Sequence, residues 1–163
     1  MRHSFHAFVA FVLFPVCMFG RLGETEQELA ARLGPPVSTA KEIIMVQGKG
    51  IQFGSELTFR QGDWAIECVI IDGRCAKEVY GKAGDWTEAQ IVSVLNSNAQ
   101  GGRWTDLSPE LTKRVSRKWH RGDGAIAIWH LGSGMTLTHP AYERARRNAE
   151  ANAKAEASRI PNI

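Results

Sequence analysis

The segment from Lys113 to Arg121 carries the densest set of side chains that could bind a ligand. It reads Lys-Arg-Val-Ser-Arg-Lys-Trp-His-Arg, which places five cations and one histidine around one tryptophan. Because side chains alternate along a strand, Arg117, Trp119 and Arg121 are expected to share one face. Cations beside an aromatic ring suit an anionic partner, such as an acidic protein or a phosphate-rich headgroup. The segment therefore predicts a binding surface of these three residues, with Lys113 and Arg114 beside them.

A second interpretation of the same segment requires no ligand. Cations on a solvated edge strand discourage the strand from pairing with another sheet. Nucleic acid is not expected as a partner, because the net charge of the chain is only +3 at pH 7. The expected partner is an envelope protein or another anionic surface.

Cys68 and Cys75 flank a predicted hairpin and could form a disulfide bond. Asp72-Gly73 between them is a dipeptide typical of a two-residue type I′ turn. In that register Ile70 pairs with Cys75, and Cys68 lies on the same face one diagonal step away. The sequence predicts a structural disulfide between the cysteines. Two free buried thiols are the alternative, and no CxxC spacing indicates redox catalysis.

No other set of residues has the spacing of a catalytic or metal site. His120, His130 and His139 are separated by ten and nine residues, whereas zinc signatures normally include a close pair. Most aspartates stand beside glycine or tryptophan, which is typical of turns. The sequence therefore predicts no catalytic residues, no metal and no cofactor, and it favours a protein that is not an enzyme.

Residues 1–20 have the pattern of an export signal. Arg2 precedes an uncharged apolar run over residues 7–19, a length typical of signal peptides and short for a membrane span. We expect an exported protein, periplasmic or secreted, whose soluble form begins near Arg21. An uncleaved membrane anchor and a lipidated Cys17 are the alternatives. Association with the membrane is expected only in those two cases.

Two short helices are predicted by the same capping pattern. Thr25 with Glu28, and Thr87 with Gln90, have the spacing of a capping box, and an apolar residue follows each box. Each helix precedes alternating apolar sequence interrupted by glycine-rich turns, which is typical of antiparallel strands. We predict an α+β fold of two helix-plus-antiparallel-sheet repeats, with one layer of helices on a sheet.

The predicted domain spans residues 21–139, divided into pseudo-repeats 21–82 and 83–139. Residues 140–163 form an alanine-rich tail whose Glu and Arg or Lys residues recur at helical spacing. The tail lacks a wide apolar stripe, so it predicts an exposed C-terminal helix. A helix that binds a partner is the alternative.

The string from Gly23 to Pro36 resembles the opening of the SmpA/BamE-type envelope proteins, in which a short helix ending in Leu-Gly-x-Pro precedes antiparallel strands. The tandem arrangement is also similar to β-lactamase inhibitor proteins, which bind partners through a sheet. The resemblance implies a protein-interaction or envelope-assembly module.

The alternative function is a small secreted hydrolase or ligand-binding enzyme with a pocket on the sheet face. A shallow sheet face lined by aromatic and basic residues would favour the interaction module. A deep pocket with clustered histidine and aspartate would favour the enzyme. Nothing in the sequence indicates an oligomeric state.

Overall fold

The computed structural model describes residues 21–159, so the predicted export signal, including Cys17, and the last four residues lie outside the described residues. Its three helices are α1 (Glu26–Leu33), α2 (Glu88–Ser97) and α3 (Pro140–Arg159). Its strands are β1 (Ser38–Val46), β2 (Lys49–Gln61), β3 (Trp64–Ile71), β4 (Arg74–Lys82), β5 (Trp104–Asp106), β6 (Ser116–Arg121), β7 (Ile126–His130) and β8 (Gly134–Thr138).

The strands form one antiparallel sheet in the order β1-β2-β3-β4-β8-β7-β6-β5. The chain builds four strands as a meander, crosses through α2, and returns so that β8 pairs with β4. This pairing runs from Lys77 opposite Thr138 to Tyr80 opposite Met135 and joins the two halves of the sheet. The predicted α+β class with antiparallel strands and a C-terminal helix is confirmed.

Both predicted capping boxes are present at the starts of α1 and α2. The Thr25 hydroxyl accepts a hydrogen bond from the Glu28 amide at 3.3 Å, and the Glu28 carboxylate accepts one from the Thr25 amide at 2.8 Å. Thr87 and Gln90 repeat the exchange at 3.3 and 2.9 Å. Each box satisfies amides that a helix leaves without internal partners, which fixes where both helices begin.

The main core lies between these two helices and one face of the sheet. Alternation along β2 and β3 puts every second apolar residue on this face, and the helices add one stripe each. Each large apolar side chain buried here stabilises the fold by about 1.5–3 kcal/mol. Its members include Leu29, Leu33, Ile91, Val94, Leu95, Leu57, Phe59, Ile66, Tyr80, Trp119, Trp129 and Leu137.

The helices α1 and α2 form one layer in the main core, whereas α3, predicted as a separate exposed helix, packs on the opposite face of the sheet across β1–β4. There Val69, Ile71 and Ala76 form a second, smaller core that α3 covers with two alanines and Tyr142. No residue of α3 is buried, so its predicted exposed character is kept although it is docked. The fold therefore has three layers.

Tyr142 is the main anchor of α3. Its ring meets the ring of Phe53 edge to face at a centroid distance of 5.5 Å, and the Lys77 ammonium lies 4.8 Å from the ring centroid. Its hydroxyl donates a hydrogen bond to Glu42 Oε1 at 2.6 Å. A charged acceptor makes such a bond stronger than a neutral one.

We expect Tyr142→Phe to lower the free energy of unfolding by about 1–2 kcal/mol. The substitution keeps the ring against Phe53 but removes the donor to the Glu42 carboxylate. Urea unfolding followed by circular dichroism measures the change. The control is Lys154→Ala, which removes an exposed i,i+4 ion pair with Glu150 and is expected to cost only about 0.2–0.5 kcal/mol. Equal effects of the two substitutions would contradict the assignment of Tyr142 as an anchor.

Candidate functional site

The predicted binding residues on β6 share a face, but that face lies under α2. Trp119 is 3% exposed and Arg121 is 2% exposed, and Trp119 belongs to the main core. The alternation along the strand was predicted correctly. The structure adds that α2 packs on this side of the sheet, so these two residues contribute no exposed surface.

Arg117 is paired within the protein. Its Nη1 atom donates to both carboxylate oxygens of Glu88 on α2, at 2.7 and 2.6 Å, and Nη2 lies 3.3 Å from an Asp106 oxygen. The guanidinium also lies 4.7 Å from the centroid of the Trp119 ring. Because two carboxylates neutralise it, Arg117 fastens α2 to the sheet instead of presenting a charge to a ligand.

Arg121 joins the β6–β7 turn to the end of α2. Its Nε and Nη2 atoms donate to the two Asp123 oxygens at 2.9 and 2.7 Å, and Nη1 donates to the Asn98 carbonyl. Its guanidinium lies 5.2 Å from the centroid of the Trp104 ring. The hydrogen bonds from Arg121 lower the pKa of Asp123 to about 2, assisted by the Ala125 amide.

Lys113 and Arg114 lie in the turns that precede β6. Lys113 pairs with Glu110 at 2.5 Å, and Arg114 is exposed. The structure therefore brings Arg117, Trp119 and Arg121 together inside the protein and leaves Lys113 and Arg114 outside them. The five residues do not form one exposed surface.

An accessible surface lies on the other side of the same strands. Because α3 packs on β1–β4, the corresponding face of β5–β8 remains accessible, and we call it the open face. Lys118 and His120 are exposed there, and Ile126 and Ile128 are half-buried. Strand register and alternation assign these residues to the open face: Thr105, Ser116, Lys118, His120, Ile126, Ile128, His130, Thr136 and Thr138.

The sequence indicated that Lys118 and His120 share a face, because they alternate along β6 with Arg117, Trp119 and Arg121, the residues that were predicted to bind. Alternation separates the two sets but does not say which set a helix will cover. The open face carries one lysine and two histidines and no carboxylate among the residues named above. Its charge therefore favours an anionic partner.

A shallow groove follows the border between the open face and the start of α3. It is lined by Gly124, Ile126, Ile128, Thr138, His139, Pro140 and Glu143. His139 Nε2 lies 3.8 Å from Asp123 Oδ2, and His139 Nδ1 accepts the Ala141 amide. Within residues 21–159, no hydrogen bond joins His139 to a serine, threonine or cysteine. The two ring nitrogens of His139 therefore face Asp123 and the Ala141 amide.

A polar cluster that the sequence analysis did not single out is buried in the main core. Glu78 is fully buried, and its Oε2 atom accepts the Tyr80 hydroxyl at 2.8 Å. Burial raises the pKa of Glu78 to about 7, although hydrogen bonds from Tyr80 and Asn98 favour its ionised form. Nothing in the sequence signalled this cluster, because regular strand alternation would place residues 75 and 78 on opposite faces.

The structure holds Cys68 and Cys75 as free buried thiols, whereas a disulfide was predicted. The predicted hairpin is confirmed, with Ile70 opposite Cys75 and positive φ at Asp72 and Gly73. Cys68 lies opposite Glu78, so the cysteines stand on a diagonal instead of facing each other directly. Their side chains are close enough to hydrogen-bond, and burial raises the pKa of Cys75.

Comparison with protein-family models, with curated proteins and with solved structures gave no match. Within residues 21–159, no helix combines the length and the apolar character that crossing a bilayer requires.

Asp123→Asn is expected to lower the free energy of unfolding at pH 7, because it removes the anion that Arg121 binds. The folded-state pKa of Asp123 is about 2, below its ordinary value of 3.8, so ionised Asp123 stabilises the folded state above about pH 4. The contribution is lost as the pH falls towards 2, and the difference between variant and parent should shrink over that range. Urea unfolding at a series of pH values measures it.

The matched control is Asp63→Asn. Asp63 lies in an exposed turn and forms no salt bridge with another residue of the range 21–159. At pH 7 the control should lower the free energy of unfolding by less than Asp123→Asn does, because it removes a carboxylate that no salt bridge holds. A pH-independent effect of Asp123→Asn would show that Arg121 does not stabilise the Asp123 carboxylate.

Proposed function

We propose that this chain is an exported interaction module that binds an acidic segment of a partner protein on the open face of β5–β8. The observation that carries the proposal is the unequal covering of the sheet. One face is covered along its length by α1 and α2, whereas α3 covers the other face only over β1–β4. The strands of the second half therefore present a continuous accessible surface.

The chemistry of this surface suits a segment that combines carboxylates with apolar side chains. Ile126 and Ile128 give it a half-buried apolar centre, and the groove beside Pro140 extends that centre. Lys118 and His120 flank the centre on β6. An apolar centre with a polar rim is the usual anatomy of a protein interface, and the Lys118 ammonium favours an acidic partner.

The predicted export signal supports the choice of partner. A chain carried across a membrane meets envelope or secreted proteins, and the proposal places it in the periplasm or outside the cell with an envelope protein as partner. Association with the membrane itself belongs to the forms in which residues 1–20 are retained or Cys17 is lipidated.

The proposal also retains the two repeats, 21–82 and 83–139, and the resemblance to SmpA/BamE-type and β-lactamase-inhibitor-like proteins. In support, α1 and α2 both begin with a threonine-led capping box, and each helix is followed by four strands. If the two halves are repeats, α3 covers one sheet face of the first repeat, and the equivalent face of the second repeat is left for a partner.

Photocrosslinking in the native host is expected to capture one protein through the open face. A photoreactive amino acid in place of Ile128 should cross-link to this partner, and the same amino acid in place of exposed Lys41 on β1 should not. Mass spectrometry should locate the linked segment and find it rich in carboxylates. With purified proteins, Lys118→Glu combined with His120→Glu should weaken binding by about tenfold or more, since like charges then face each other.

The charge control is Lys41→Glu, which makes the same change of sign away from the open face and should leave the affinity unchanged. If Lys41→Glu weakened binding as much as the double substitution, the open face would not be the binding surface. A cross-linked segment without carboxylates would contradict the acidic partner. Binding of the purified protein to phosphatidylglycerol vesicles, with no protein cross-linked through position 128, would replace the partner protein with a lipid surface.

A further inference from the structure

Glu78 has a carboxylate oxygen that the protein leaves without a hydrogen-bond partner. The side chain is fully buried, and Tyr80 satisfies only Oε2. Oε1 is buried and unpaired. A buried polar atom without a hydrogen-bond partner destabilises the fold, so a native protein rarely keeps one without a structural or functional reason.

Besides Tyr80 and Asn98, two thiols lie near Glu78. One ligand atom from each of Cys68, Cys75 and Glu78 can be chosen so that all three lie within 4.8 Å of one another. In a tetrahedral zinc site, Zn–S bonds of about 2.3 Å and Zn–O bonds of about 2.0–2.2 Å separate the ligand atoms by about 3.5–3.8 Å. The three side chains are therefore near the separation that zinc requires.

The backbone of β4 brings this cluster together through an irregularity. Val69 pairs with Lys77 and Ile70 with Cys75, so Ala76 is the extra residue of a β-bulge. In a regular strand, residues 75 and 78 would point to opposite faces, because their separation is odd. The bulge places both on the core side, opposite Cys68. Redirecting a side chain next to a functional site is a common role of β-bulges.

We propose that Cys68, Cys75 and Glu78 bind one zinc ion within the main core. Two thiolates and a carboxylate form a ligand set that zinc accepts, and the fourth tetrahedral position falls to an exogenous ligand. Tyr80 holds the second carboxylate oxygen and orients Glu78, as partners of metal ligands commonly do. This proposal does not rest on the partner-binding function.

A disulfide between the same cysteines explains less of the structure. Sulfur atoms in a disulfide carry no hydrogen, so the bond would leave Glu78 Oε1 without a donor. Zinc would satisfy the carboxylate and both sulfurs together. The unpaired oxygen therefore favours the metal over the disulfide.

The N-terminal segment of the described chain packs beside the proposed zinc site. The Gly23 amide donates to the Cys75 carbonyl, and the Cys75 amide donates to the Glu24 carbonyl, both at 2.7 Å. Residues 23 and 24 thus lie beside Cys75, and all three ligand side chains are buried. Zinc is expected to bind during folding, so its binding energy becomes folding energy.

In the test, the reduced chain is refolded either in the presence of zinc or in the presence of a chelator. The chain carries Cys17→Ser, which removes the cysteine of the export signal. Refolding in zinc should leave one ion per chain after gel filtration and raise the thermal midpoint. Refolding in Co²⁺ should produce the near-ultraviolet absorption of a cobalt–thiolate bond. Cys68→Ser and Cys75→Ser should each weaken or abolish this band, and Glu78→Gln should lower zinc affinity by more than about tenfold.

The matched control is Glu67→Gln on the opposite face of β3, which should leave zinc binding unchanged. Circular dichroism of the metal-free Glu78→Gln variant shows whether lost binding is separate from lost folding. The cobalt spectrum of the parent chain shows whether thiolates bind the metal even when the variants fail to fold. The proposal is overturned by absence of the cobalt–thiolate band, by zinc that survives Cys68→Ser, or by host-purified protein whose mass shows the disulfide.

Discussion

Asn98 lies fully buried at the C-terminal end of α2, and its polar groups connect three parts of the chain. Its side-chain oxygen accepts the Leu22 amide at 2.8 Å, and its side-chain nitrogen donates to the Tyr80 hydroxyl at 3.4 Å. Its backbone carbonyl accepts Arg121. One residue thus fixes the N-terminal segment, β4 and β6 relative to one another. A buried polar network of this kind specifies one arrangement, because each partner lost leaves a buried group unsatisfied.

The two halves of the sheet therefore share one core and one polar network. Glu78 and Tyr80 belong to β4, the last strand of the first half, and Arg121 belongs to the second half. Two basic residues of β6 face inward: Arg117 binds the carboxylates of Glu88 and Asp106, and Arg121 binds Asp123 and the Asn98 carbonyl. Cation–π contacts hold both guanidinium groups against tryptophans. Their role is to fasten α2 to the sheet.

Local chemistry determined what could be predicted from the sequence. The capping boxes at Thr25 and Thr87 and the turn at Asp72-Gly73 depend on neighbours within three residues, and all three were predicted correctly. Alternation on β6 was also right, but the covered face was not predictable, because that depends on where α2 docks after a crossover. The bulge at Ala76 and the position of α3 depend likewise on contacts between residues distant in the sequence. The buried Glu78 became visible as a site only after the bulge was known.

The weak attachment of α3 has a thermodynamic consequence. The helix has no buried residue, and Tyr142 and two alanines of its first two turns meet the second core. Segments with so little buried area open at a lower free energy than the whole fold. Each opening would expose Val69, Ile71 and Ala76 and make one face of the sheet accessible from β1 to β5. The extent of the accessible sheet face is therefore set by a local equilibrium, and any interaction that stabilises α3 confines this accessible face to the second half of the sheet.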